Sequence, residues 1–396
     1  MNFSKSLSAC LAAPLALAFL TVPTSALVLS SHPAALGALV LAQEGVSVTW
    51  KGEQLSAVEL EETLSEEVSA LISGEVMEQL ARFSEWVLAN EYTVTLSNDA
   101  RVVLITASKK VSMRRMKLVD ETVAVFDQLM SLGEEGDGPA AENGAGSPKS
   151  SRPVVLVETE DEGQYRALVS GLASQDPDME RWAASVTGQP GFSEMRIASA
   201  VWQSEPVGYE IGEVWRSENE LVNRLARLLL HRRYGRQPTW LGVASAWRVE
   251  MEVLDTIYCF PYRGGFVGVG DHGGWQTHLK SEFKKRKKSD LRPDEFAAWK
   301  PNTWDEEEAH MAWGFVEFLA RHKPGVLGAF AAEYRELFEV GYLTTFPDGS
   351  WRTNPSFVVS LEEQAALLES LGGEGLFDAA SEFFRKGKRY RPARRR

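Results

Sequence analysis

The stretch that most constrains this chain contains a break. From Asn219 to Glu250 it reads NELVNRLARLLLHRRYGRQPTWLGVASAWRVE, two helical patterns separated by Tyr234-Gly235 and Pro238. In the first pattern Leu221, Leu225, Leu228 and Leu229 recur at helical spacing as an apolar stripe, with Glu220, Asn223, Arg224 and Arg227 on the other side. Ser217 followed three residues later by Glu220 is a capping-box pattern, which starts the helix at Glu218. Gly235 can take the left-handed conformation that ends a helix, and proline suits the opening of another. With only Arg236 to Thr239 in which to turn, the second helix, opening at Trp240, has to fold back along the first. The result is a helical hairpin over 217–256, supported on its polar face by Glu220 and Arg224 at i,i+4 spacing.

The periodicity around the hairpin changes several times. Leu55 to Leu88 alternates acids with apolar residues at helical spacing, as one or two amphipathic helices. YTVTLS from Tyr92 and RVVLITA from Arg101, joined through Asn98-Asp99, form a β-hairpin pattern, and Arg114 to Leu129 returns to the helical period. Between Gly133 and Pro153 the chain is Gly, Pro, Ser, Ala and Glu with almost nothing to bury, which predicts a flexible linker or insert. VVLVET from Val154 reads as a buried strand, GQYRALVSGLA as a helix and SEMRIASAVW, ending at Trp202, as a further strand. From Thr303 onward the pattern is almost entirely helical, and the acids that open WDEEEAHMAWGFVEFLARHKP and the His322-Lys323 that close it suit a helix dipole. The expected fold is α+β, with a small mixed β-sheet, the helical hairpin and a mainly helical C-terminal region. Its parts are an N-terminal α/β part at 44–132, the linker or insert at 133–153, a core at 154–300 that contains the hairpin, a helical region at 301–384 and a basic tail at 385–396.

The first residues, MNFSKSLSACLAAPLALAFLTVPTSA, carry one Lys, an apolar run from Ala9 to Val22 and small residues at Thr24 and Ala26. This is a secretory signal pattern over 1–26, with a second cleavage position after 42, set by Val40 and Ala42. It implies export, periplasmic or extracellular; the alternative is a membrane anchor through an uncleaved N-terminal segment. LSAC at Cys10 mimics a lipoprotein box but comes too early, with no apolar run ahead of it. Removing the signal leaves Cys259 as the one thiol, so stability has to come from the core and not from an intrachain disulfide. A net charge of −13 argues against nucleic acid as the main partner. The basic runs, KSEFKKRKK over Lys280 to Lys288 and RKGKRYRPARRR from Arg385, could meet an anionic surface; a solvated loop and a frayed terminus explain them more simply.

The hairpin resembles the gluzincin (MA-like) zinc metallopeptidases. In these, HExxH on one helix is followed by a Tyr-Gly turn and by Pro-x-Trp-Leu-x-Glu-Gly-x-Ala on the next. The resemblance implies a zincin-like fold, zinc held by the two His and the later Glu, and water activated by the Glu within HExxH. Anchored on RRYGRQPTWL, the His positions fall on Asn223 and Arg227, the general base on Arg224 and the third ligand on Val243. A register four residues upstream gives NELVN, with Asn219 and Asn223 at the His positions and Glu220 kept between them. Arginine offers a metal no lone pair, valine has no donor atom, and asparagine alone is a poor zinc ligand. The expectation is therefore an exported, catalytically inactive peptidase-like protein with no catalytic residue, no metal and no cofactor, binding or scaffolding an unknown protein or envelope partner. In the vacated site an ion pair between Arg224 or Arg227 and Glu250 is expected to pin the hairpin.

One other stretch offers chemistry. GGFVGVGDHGGWQTH, from Gly264 to His278, holds Asp271, His272 and His278, from which an alternative active hydrolase or metallopeptidase could be built. Its glycines lack the strand-to-helix context and the Lys of a phosphate loop. His231, His310 and His322 lie far apart in sequence, no two His are spaced i,i+4, and Cys259 sits among apolar residues.

Overall fold

The computed structural model describes residues 45–107, 109–131, 153–159, 162–175, 192–194, 199–203, 217–257, 272–286, 291–300, 306–346, 350–354 and 356–386. The N-terminal signal pattern, both cysteines and most of the 133–153 segment lie outside them.

Strands β1 (Ser47–Trp50) and β2 (Glu53–Ser56) form a tight hairpin. Its two-residue turn, Lys51-Gly52, has positive φ at both positions, the twist that suits flanking strands. Helix α1 (Ala57–Glu67) opens with a capping box between Ser56 and Glu59, and α2 (Ala70–Ala89) follows it. The two apolar runs beyond become β3 (Thr93–Leu96) and β4 (Val102–Thr106), paired antiparallel. After α3 (Lys109–Leu129), β5 (Val154–Thr159) lies parallel to β4, with Val102 opposite Val154. Helix α4 (Glu162–Gln175) leads on to β6 (Phe192–Glu194) and β7 (Ser199–Gln203). SEMRIASAVW thus contributes two short antiparallel strands where one was expected. The mixed sheet has seven strands in the order β2-β1-β3-β4-β5-β7-β6. Because β4 and β5 are neighbours, residues 133–153 interrupt one sheet, and the parts expected at 44–132 and from 154 onward share it.

Strand alternation divides the interior in two. Val102, Leu104, Val154 and Leu156 face a core shared with α3 and the C-terminal helices, whereas Val103, Ile105, Val155 and Val157 face one shared with α1, α2 and α4. A sheet covered on both faces explains why β4 and β5 read as unbroken apolar runs.

The hairpin helices, α5 (Ser217–Tyr234) and α6 (Thr239–Leu254), pack side by side on the first of these cores. Gly235 closes α5 at φ +67°, donating its N–H to the His231 carbonyl at 2.8 Å. The end of α5 is tied to the end of α3, since the Tyr234 hydroxyl donates to the Met130 carbonyl at 3.1 Å. The remaining helices are α7 (His272–Lys285), α8 (Asp294–Ala297), α9 (Glu306–His322), α10 (Val326–Tyr342), α11 (Leu361–Gly372) and α12 (Leu376–Lys386). A small hairpin of β8 (Leu343–Thr345) and β9 (Trp351–Thr353) interrupts this helical region. These helices enclose α6, eleven of whose sixteen residues are buried. Trp240, at its start, has no exposed surface, meets Phe296 and Phe330 with ring centroids 5.1 and 5.3 Å away, and donates its indole N–H to Gln364 at 3.2 Å. The boundary expected at 300 therefore does not divide cores, for Trp240 and Phe384 belong to the same one. The fold is α+β and mainly helical. Among the described residues no helix is long and apolar enough to cross a membrane.

Candidate functional site

Helix α5 lies between the sheet, α3 and α6, so more of it is covered than its leucine stripe alone. Glu220 and Asn223, expected on the polar face, are 5% and 4% exposed, and Asn219 is 5% exposed. The carboxylate they meet comes from α6: Glu250 has no exposed surface. Asn219 and Asn223 stand one turn apart and point the same way. The Nδ2 of Asn219 donates to Glu250 Oε1 at 2.6 Å, and that of Asn223 donates to Oε2 at 3.2 Å. Helix α6 ends at Asp255 in the left-handed conformation, which turns Thr256 back toward the cluster. There the Thr256 hydroxyl accepts a second hydrogen bond from Asn219 Nδ2 at 3.0 Å. Each carboxylate oxygen thus has its own carboxamide donor, as buried polar groups require.

The hairpin register decides this pairing. In an antiparallel pair, residues far from the turn on one helix meet residues far from it on the other. Gly242 approaches the Leu230 side chain to 4.0 Å, measured from the position a Cβ would take, so the neighbouring Val243 lies level with the last turns of α5. Glu250, two turns further on, comes level with Asn219 and Asn223. Of the residues expected in a vacated-site ion pair, Glu250 lies in this cluster. Arg224 Nε pairs with Glu220 Oε2 at 3.2 Å along α5, as its i,i+4 spacing allows, and Arg227 lies half-buried on the flank. The carboxylate of Glu250 is gripped by the carboxamides of Asn219 and Asn223. In the NELVN register the side chains at both His positions, Asn219 and Asn223, converge on Glu250.

These residues do not fit zinc. The carboxamides turn their nitrogens, not their oxygens, to the carboxylate, and Val243 offers no donor atom. Among the described residues no group of three or more His, Cys, Asp or Glu is placed to hold a metal ion.

The alternative constellation is only partly visible. Asp271 lies outside the described residues, and His272 opens α7. His278, exposed on α7, brings its ring centroid 4.7 Å from that of His310 on α9, a proximity that no spacing in the sequence signals. His310 is 4% exposed, lies 5.2 Å from the Trp275 ring, and its Nδ1 has no hydrogen-bond partner among the described residues. Burial, and secondarily the charge of His278, pushes the His310 imidazole down to about 4, so it is neutral at physiological pH. A second polar group unseen in the sequence is Glu317 of α9, 1% exposed. Arg248 Nε lies 2.8 Å from it, and Arg321 also contacts it. Burial raises the Glu317 carboxyl above its ordinary range, against the opposing pull of both guanidiniums.

The basic run from Lys280 continues along α7 to Lys285, and Arg286 just beyond is held by Glu282 at 3.2 Å and Glu295 at 2.5 Å. Residues 287–290 and 387–396 lie outside the described residues, while Arg385 and Lys386 pair with Glu382. No protein-family model, curated protein or solved structure matches the chain.

Proposed function

We propose that this is an exported, catalytically inactive peptidase-like protein, a pseudo-metallopeptidase of zincin-like descent that acts as a binding or scaffolding module in the periplasm or outside the cell. The observation that carries this reading is the meeting of Asn219 and Asn223 with Glu250. Two side chains at i,i+4 on one helix and a carboxylate from the next are arranged as a two-histidine, one-carboxylate zinc site would be, with amides in the imidazole positions. Glu220 stays between the asparagines, where HExxH has its base, but its carboxylate is engaged by Arg224. A hydrogen-bonded lock takes the place of the metal as the cross-link between the helices. The retained shape then serves recognition, since site chemistry and not the frame decides activity.

Elemental analysis of the purified mature protein, with a peptidase assay run with and without added zinc, tests this. The expected result is no stoichiometric zinc and no metal-dependent cleavage. One zinc per chain, or hydrolysis abolished by a chelator, would overturn the proposal.

A further inference from the structure

The two basic runs of the sequence meet in the fold. Helices α7 and α12 pack on each other, with the Phe283 and Phe384 rings 5.0 Å apart. Arg385 Nε donates to the Phe283 carbonyl at 3.4 Å, across 102 residues of chain. Gly314 of α9 makes room for both helices, since a Cβ there would stand 2.5 Å from Leu279 and 2.9 Å from Phe384. The C-terminal ends of α7 and α12 are thereby brought side by side. Each ends on bases, Lys284 and Lys285 on one and Arg385 and Lys386 on the other.

The acids here are engaged by other bases than the lysines of α7. Glu282 and Glu295 hold Arg286, and Glu382 holds Arg385 and Lys386. Lys280, Lys284 and Lys285 pair with no acid among the described residues, and Lys284 and Lys285 are exposed. The sequence continues both runs, with Lys287 and Lys288 after Arg286 and six further bases after Lys386. Fourteen of the 42 Lys and Arg belong to these two runs in a chain of net charge −13, so the runs stand positive against a strongly acidic remainder.

We propose that the joined ends of α7 and α12 form a docking surface for an anionic phospholipid bilayer, with lysine ammoniums set against lipid phosphates and no helix inserted. A lysine is a compact, hydrated charge that suits a plane of headgroups, where bidentate recognition would call for arginine. The rings beside the lysines, Phe283 and Phe384, are buried, so they offer neither a stacking platform for a nucleic-acid base nor an apolar wedge for the bilayer. An acidic body also tolerates a plane met by one face better than a long polyanion running along it, because charges beyond a Debye length of roughly 8–10 Å are screened. This surface does not depend on whether the hairpin ever held a metal.

Cosedimentation of the mature chain with vesicles tests this, at about 0.1 M salt, with phosphatidylcholine alone and with about one third phosphatidylglycerol. Binding is expected only where phosphatidylglycerol is present, and is expected to fall steeply as salt is raised. A Lys or Arg near an anionic bilayer contributes about fivefold in affinity, so Lys284→Gln/Lys285→Gln, with the C-terminal run intact, should weaken binding by about thirtyfold. Both side chains are exposed, so the circular dichroism of this variant should match that of the parent. Lys386→Gln, on α12, should weaken binding about fivefold, and decides alone if the double variant is unfolded. Equal binding to phosphatidylcholine alone, an unchanged affinity in these variants, or saturable binding to duplex DNA at lower protein concentration than to the vesicles would each overturn the proposal.

Discussion

Replacing Asn219 with alanine tests the lock across the hairpin most sharply. The change removes the 2.6 Å bond to Glu250 and the 3.0 Å bond to Thr256, and leaves a carboxylate with no exposed surface one donor short. A hydrogen bond to a charged group contributes about 1.5–3 kcal/mol, and a buried acceptor left short is costly in itself, so Asn219→Ala should destabilise by about 2–3 kcal/mol. Asn223→Ala removes a single longer bond, 3.2 Å, and should cost about 1–2 kcal/mol by the same reasoning. Glu250→Ala strands both amides and opens a small cavity, for about 3–5 kcal/mol. Since Asn219 and Glu250 stabilise each other, Asn219→Ala/Glu250→Ala should fall short of the sum of the singles by about 1.5 kcal/mol or more. Urea unfolding followed by tryptophan fluorescence and far-UV circular dichroism gives these values, with coincident curves as the check on two-state behaviour. Single costs below about 0.5 kcal/mol, or strict additivity in the cycle, would refute the lock.

Other consequences follow from buried groups elsewhere. His310 is held at about 4 in the folded protein and titrates near 6.5 once unfolded. The stability this neutral ring contributes is therefore complete above pH 6.5 and is lost as the pH falls through about 4, by at most about 3 kcal/mol. Unfolding measured from pH 7 to pH 4 should show that decline, and His310→Phe should flatten it; an identical pH profile in the variant would refute the assignment. A Cβ on Gly328 would lie 2.3 Å from the Met130 carbonyl oxygen, a backbone atom that also accepts from Tyr234. Gly328→Ala should thus cost about 2 kcal/mol or more through strain where α10 crosses the end of α3, and an unchanged melting temperature would count against so close an approach.

What could be read in the sequence was whatever depends on near neighbours. The α5–α6 turn announces itself through Gly235 and Pro238, α1 and α2 through acids alternating with apolar residues from Leu55 to Leu88, and β4 and β5 through apolar runs too short for helices. Pairing was not legible: nothing local places Val154 beside Val102, and β6, three residues long, is below the length at which alternation shows. In the candidate site the motif positions Asn219, Glu220 and Asn223 could be found by spacing alone. Glu250 was legible too, two turns beyond Val243 on the second helix, but as a partner for an arginine; its meeting with Asn219 and Asn223 was not. Counting outward from Gly235 along both helices would have signalled it, since an antiparallel hairpin brings Glu250 level with Asn223 and leaves Val243 near the turn. The meeting of His278 with His310 joins two helices distant in sequence and has no local signature at all.

The central claim is that the hairpin keeps the geometry of a metal site in which amides stand where imidazoles would. The most direct measurement is zinc binding by the Asn219→His/Asn223→His variant, with folding confirmed by circular dichroism. Two histidines at i,i+4 facing the Glu250 carboxylate would complete a three-ligand site. The account predicts one zinc per chain in this variant, none in the parent, and loss of the metal when Glu250→Ala is added. A folded double variant that binds no zinc, or one whose zinc is indifferent to Glu250→Ala, would contradict it.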